Sequence, residues 1–109
     1  MGKKEKTKIK GTSIRPRLVV FRSHKHIYVQ IIDDSLSQTI ISCSTLEPEI
    51  KTQLESTANI NASLIVGKMI GKRLFEKNIS SVIFDRNGKP YHGRIKAIAE
   101  AARDSGVNF

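Results

Sequence analysis

The chain predicts an α/β fold: a mixed four-stranded sheet in the order β-β-β-α-β-α, with packed helices and a basic N-terminal tail. Three observations carry that expectation. Three short runs rich in β-branched and aromatic residues fill positions 17–44, joined by short polar links. One long amphipathic stretch separates them from a fourth apolar run near Val82. The charge is lopsided: nine of the nineteen basic residues lie in the first 26 positions, against the single acid Glu5.

Each element has a local reason. Residues 1–14 are Lys-rich, poor in apolar side chains and punctuated by Gly2 and Gly11. They bury too little to offset the entropy of ordering, so they read as an arm that orders on a partner. Residues 15–109 form the single domain, with Pro16 opening it. Arg17 to Arg22 is the first strand by its β-branched content. Ile27 to Ile32 alternates, with Ile27, Val29 and Ile31 on one face and Tyr28, Gln30 and Ile32 on the other. Asp33, Asp34 and Ser35 signal a plain hairpin turn, and Thr39 to Ser44 is the third strand of an antiparallel meander. Residues 45–60 are looser, with a helical turn expected near Glu47 to Leu54.

A long helix follows from about Asn61 to Lys77. At 100° per residue, Leu64, Val66, Ile70, Leu74 and Phe75 share an arc with Gly67 and Gly71. Two glycines there suggest close approach to the sheet. Lys68, Lys72, Arg73 and Lys77 read as a solvated face, and Asn78 as a left-handed stop. Ser80 to Phe84 is a fourth strand. Reached by a right-handed helical crossover, it lies parallel to the first and gives the order 3-2-1-4. Asn87-Gly88 marks a turn, the last helix spans about Gly93 to Asp104, and Gly106 ends it.

Composition narrows the function. The first 26 residues carry +8 of the formal +9, while the remaining 83 are nearly neutral. A basic end on a neutral body suits a polyanion. No apolar run approaches the roughly 20 residues of a spanning helix. One cysteine, Cys43, allows no internal disulfide and fits a reducing compartment and a small core residue.

Two clusters could meet nucleic acid. Arg15, Arg17, Arg22 and Lys25 are interleaved with His24, His26 and Tyr28, and Lys8 and Lys10 lead into them. Arginine forks match phosphate oxygens, and a tyrosine ring can stack on an unpaired base. The second cluster, Arg86, Asn87, Lys89, Tyr91, His92 and Arg94, follows a strand and opens a helix, whose free N–H groups favour anions. Asp85 reads as orienting an arginine or capping a turn rather than doing chemistry. His24 and His26 lack the further ligands a metal needs. No catalytic set, phosphate-binding loop or cofactor motif is present.

The residues carry a resemblance. Arg17-Leu-Val-Val-Phe-Arg-Ser-His-Lys-His-Ile-Tyr-Val-Gln30, Ser42-Cys-Ser-Thr45, Val66-Gly-Lys68, Phe84-Asp-Arg-Asn-Gly88, Tyr91-His-Gly-Arg94, Ala101-Ala-Arg103 and the terminal Phe109 occur in one order. From about Ile14 to Phe109 the chain resembles the bacterial-type eighteenth protein of the large ribosomal subunit. The resemblance implies a non-catalytic structural protein that binds 5S rRNA and helps anchor it to 23S rRNA in the central protuberance. It implies the fifth large-subunit protein as a neighbour, no small-molecule substrate and no membrane. It also implies a ribosomal location, in bacterial cytoplasm or plastid stroma. It further implies RNA-facing roles for Arg17, Arg22, Ser23, His24, Lys25, His26 and Tyr28, and for Arg86, Asn87, Lys89, Tyr91, His92 and Arg94. The arm departs from the family pattern: it is short and Lys-rich where relatives carry a longer, Arg-rich, often helical one. Extended contacts along phosphates are therefore expected.

Two other classes compete with this one. A nuclease on a ribonuclease-H-like sheet needs carboxylates on central strands to hold divalent metal. The run from Arg17 to Arg22 has none, and Asp85 stands alone. A non-specific DNA-binding module would show comparable affinity for duplex DNA and 5S rRNA.

Overall fold

The computed structural model describes residues 10–22, 26–52, 60–85 and 93–109. Its elements are β1 (Arg17–Arg22), β2 (Ile27–Asp33), β3 (Gln38–Ser44), a one-turn helix α1 (Pro48–Lys51), α2 (Ile60–Glu76), β4 (Ile83–Asp85) and α3 (Gly93–Asp104). The sheet order is β3-β2-β1-β4. β1 pairs antiparallel with β2, β2 antiparallel with β3, and β1 parallel with β4. This is the predicted topology.

Alternation along the strands decides which face is buried. Leu18, Val20, Ile27, Val29, Ile31, Ile41 and Cys43 point to one side. There they meet Val66, Ile70 and Leu74 of α2 and Ile95, Ile98 and Ala102 of α3. Burying each large aliphatic side chain contributes about 1.5–3 kcal/mol. The registers put Phe21, Tyr28 and Ser44 abreast on the opposite face, and Val19, Gln30 and Ser42 abreast beside them. Both long helices pack on the first face, although Val19 on the second is also buried.

The long helix corrects two expectations. Gly67 and Gly71 face α3, not the sheet. A Cβ on Gly67 would lie 2.6 Å from the Ile98 carbonyl oxygen and 2.7 Å from the Ala101 methyl. A Cβ on Gly71 would lie 2.5 Å from Cβ of Ser105. Two helix backbones can approach this closely only where one lacks side chains. The buried arc is also turned toward Ala62 and Ser63, both fully buried, with Ile65 and Met69 packed at its margin. Because α3 seats over the glycines, the arc stops there. Leu64 and Phe75, one step further round, face out, and Phe75 is 79% exposed. Both helices end as their stop residues predict. Asn78 (φ 60°) and Gly106 (φ 101°) take the left-handed conformation. The Ile79 N–H then reaches the Leu74 carbonyl at 2.9 Å, and the Val107 N–H reaches that of Ala102 at 3.4 Å.

The fourth strand is shorter than expected, and the residues just before it pair with the C-terminus instead of β1. Ser81 forms a parallel bridge with Asn108. The Val82 N–H donates to the Asn108 carbonyl at 3.1 Å, and the Asn108 N–H to that of Ser80 at 2.8 Å. Phe109 then stacks on Phe84 at 5.4 Å between centroids, with the Arg103 guanidinium 4.4 Å over its ring. The C-terminal residues act as a clasp on β4.

Cys43 is buried against α2, and desolvation pushes its thiol up to about 12. Only the thiolate attacks thiol reagents. At pH 8 the native protein is therefore expected to react with a disulfide reagent far more slowly than the urea-unfolded chain. Equal rates in the two states would contradict the burial.

Candidate nucleic-acid interface

Among the described residues, the candidates of the first cluster lie toward the two ends of β1. At one end, β1 begins with Arg17, whose guanidinium lies between two acids. Its Nε donates to Asp34 Oδ2 at 3.0 Å, its Nη2 to Asp34 Oδ1 at 3.1 Å, and its Nη1 to Asp85 Oδ2 at 3.0 Å. Asp34 also accepts the Gly11 N–H at 2.6 Å, while its own N–H donates to the Gly11 carbonyl at 3.1 Å. Gly11 is buried, and a Cβ there would sit 2.2 Å from the Arg17 nitrogen. The incoming chain is thus moored on the turn after β2, and only glycine fits the mooring. The Arg17 bonds, with the Gly11 N–H second, hold the Asp34 carboxyl below the usual carboxylate range. Asp34 in turn raises the Arg17 guanidinium above its ordinary value.

This places three predicted residues. Arg17 is held by two carboxylates, so its fork faces inward onto protein. Asp85 orients an arginine, as expected. Asp34 is more than a plain turn residue, because it ties the arm to the body. Lys10 and Arg15 lie exposed at the same end, and Arg15 Nε reaches the Val82 carbonyl at 3.4 Å.

The other end of β1, five residues on, is about 17 Å away at the usual rise per residue. There Thr45, fully buried, accepts the Ile27 N–H on its hydroxyl at 3.1 Å and sits 3.1 Å from His26 Nδ1. The His26 ring meets Tyr28 edge to face at 6.4 Å between centroids. Arg22 closes β1 here. β4 runs parallel to β1, with Asp85 beside Val19, so the chain leaves both strands in the same direction. Arg94 is half-buried in the first turn of α3. Lys8, Ser23, His24, Lys25, Arg86, Asn87, Lys89, Tyr91 and His92 lie outside the described residues.

Local pattern does not single out every residue that acts here. Arg73, expected on a solvated face, donates through Nη1 to the Ser42 carbonyl at 2.7 Å and to Glu47 Oε2 at 3.0 Å. Glu47 also accepts the Ser44 N–H at 2.8 Å. Arg73 first, then that N–H, keeps the Glu47 carboxyl below its ordinary range despite partial burial. Thr45 stands in a motif of the resemblance, which is its one signal. Arg73 and Glu47 have none, being 26 positions apart. Among the described residues no three His, Cys, Asp or Glu gather as metal ligands do, and no helix is long and apolar enough to cross a membrane.

Fold and site together define a class: a small basic α/β protein with exposed cations where its arm meets the sheet and a polar, partly aromatic face beyond them. The chain belongs to the ribosomal L18 family of archaea, bacteria, mitochondria and chloroplasts, whose pattern matches residues 2–109. It is 58% identical over 102 residues to large ribosomal subunit protein uL18 of Nostoc punctiforme, covering 94% of this chain and 85% of that protein. The uL18 of Thermotoga neapolitana is 56% identical over 102 residues, covering 94% and 84%. The uL18c of Cyanophora paradoxa is 56% identical over 103 residues, covering 94% and 85%. The chain is accordingly a structural, non-enzymatic protein of the large ribosomal subunit, of bacterial and plastid type.

Proposed function

We propose that this ribosomal protein binds 5S rRNA and helps anchor it to 23S rRNA in the central protuberance, beside the fifth large-subunit protein. The observation that carries the reading is the concentration of +8 of the formal +9 within the first 26 residues of a large-subunit protein. Residues 1–14 are the arm and residues 15–109 the RNA-binding body. Lys8, Lys10 and Arg15 follow phosphates from the end of the sheet where Gly11 is moored. Arg22, Ser23, His24, Lys25, His26 and Tyr28 meet RNA at the other end. Arg86, Asn87, Lys89, Tyr91, His92 and Arg94 contact the same RNA, a reading supported by the donors crowded into that stretch. Arg17 contributes by fixing where the arm leaves the body.

Affinity then comes mainly from displaced counterions. With about 6–8 phosphates neutralised, log affinity for 5S rRNA falls against log salt with a slope of about −4 to −7. Titration across a potassium chloride series measures it. A flat response would refute the reading, and so would equal affinity for duplex DNA. The Arg86→Ala/Arg94→Ala pair is expected to weaken binding at fixed salt. It should also make the slope shallower by about one for each phosphate that is no longer neutralised.

A further inference from the structure

We propose that the outer face of β2 and β3 holds a seat for one unpaired RNA base. The inference rests on the RNA-binding reading above and assigns it a subsite that phosphate contacts do not supply. Register places Tyr28 opposite Ser44 and Gln30 opposite Ser42, on the face turned away from both long helices. With Glu47 and Arg73, these four line an open cavity of about 350 Å³ at the β3 edge.

The electrostatics select a base over a phosphate. The cation among these six residues, Arg73, is already matched by Glu47 and by the Ser42 carbonyl. A phosphate entering here would gain no uncompensated positive charge and would face a carboxylate. A neutral planar group with donors and acceptors is suited instead. Tyr28 supplies a ring wall, held from behind by the edge contact with His26. Base–aromatic stacking tolerates any base. The Gln30 amide offers a donor and an acceptor side by side, the pattern that matches N6 and N7 of adenine. The Ser42 hydroxyl is exposed on the neighbouring strand.

Position supports the same occupant. Tyr28 and His26 belong to the end of the sheet where Arg22 closes β1, so an RNA strand held there reaches the cavity without leaving the protein. Its other aromatic neighbour is Phe21, opposite Tyr28 in register and 38% exposed. A protein strand added to the β3 edge is disfavoured, because the Ser42 carbonyl already accepts from Arg73.

The test uses the full chain and 5S rRNA over a salt series, comparing wild type with the Gln30→Ala/Ser42→Ala double variant. Without its hydrogen bonds to the base, the variant should bind about tenfold more weakly at every salt concentration. The slope should stay unchanged, because counterion release counts phosphates alone. One adenine whose N7 is shielded from diethyl pyrocarbonate by the wild type should become reactive again with the variant. Gln30→Met, close in size and unable to hydrogen-bond, should show the same pattern and guards against misfolding of the double variant. Superimposable titrations would overturn the base seat and leave 5S rRNA binding standing. So would a slope shallower by about one, which marks a phosphate contact. A wild-type chain with no salt-dependent affinity for 5S rRNA would remove both.

Discussion

Gly67→Val is expected to lower stability by about 3 kcal/mol or more, a large effect for a single substitution. Two effects oppose each other. Valine gains up to about 0.5 kcal/mol of helix propensity over glycine. Against that, the first added carbon already falls 2.6 Å from the Ile98 carbonyl oxygen and 2.7 Å from the Ala101 methyl. Both are rooted in the α3 backbone and cannot swing aside. The helices must separate, and Val66, Ile70, Ile98 and Ala102, which share the core there, lose packing with them. Sterics win by several-fold. Gly67→Ala should show the same sign with a smaller loss, since alanine regains about 1 kcal/mol of propensity. Urea midpoints by circular dichroism measure both. An unchanged midpoint for Gly67→Val would mean that the helix crossing is looser than these distances imply.

The second large effect concerns the mooring of the arm. Asp34→Ala removes the acceptor of three hydrogen bonds, two from Arg17 and one from the Gly11 N–H. Asp85 still holds one edge of the guanidinium. Bonds to charged groups contribute about 1.5–3 kcal/mol each, but the pair is partly exposed and Arg17 keeps a partner, so a loss of about 2 kcal/mol is expected. The arm should come away from the turn, seen as faster tryptic cleavage at Lys10.

The same carboxylate predicts a pH dependence. Its native pKa is depressed, by Arg17 first and Gly11 second. A depressed native pKa contributes stability that is fully present above the unfolded value, about 4, and is lost as pH falls through the native one. The gap in urea midpoint between wild type and Asp34→Ala should therefore be constant above about pH 5 and shrink below about pH 4. A gap that persists undiminished into strong acid would mean that the ionised form of Asp34 is not what holds the mooring. Glu47, depressed by Arg73, adds to the acid sensitivity that remains in the variant.

Much of this molecule was legible from local pattern. Strand alternation assigned Ile27, Val29 and Ile31 to the core because the side-chain period of a strand is two, whatever lies beyond it. Short polar links forced an antiparallel meander, and a helical crossover forced β4 to lie parallel to β1. Asn78 and Gly106 marked helix ends because few other residues take positive φ cheaply. The charge bias at the front pointed to a polyanion without reference to any fold.

What alternation and charge could not supply was pairing across the chain. Arg17 meets Asp34 and Asp85, which are 17 and 68 positions away. Arg73 meets Glu47 over 26 positions. A lone arginine carries the same sequence signal whether it faces phosphate, water or a carboxylate. The glycines on α2 announced a close approach but not its partner, since a missing side chain fits a sheet and a helix equally well. Sequence alone determined the elements, their order and the kind of partner, because those follow from periodicity and net charge. Tertiary structure decided which cations are held by protein acids, which face α3 covers, and where the arm is tied down. Those depend on distances between residues remote in the chain, which no local pattern encodes.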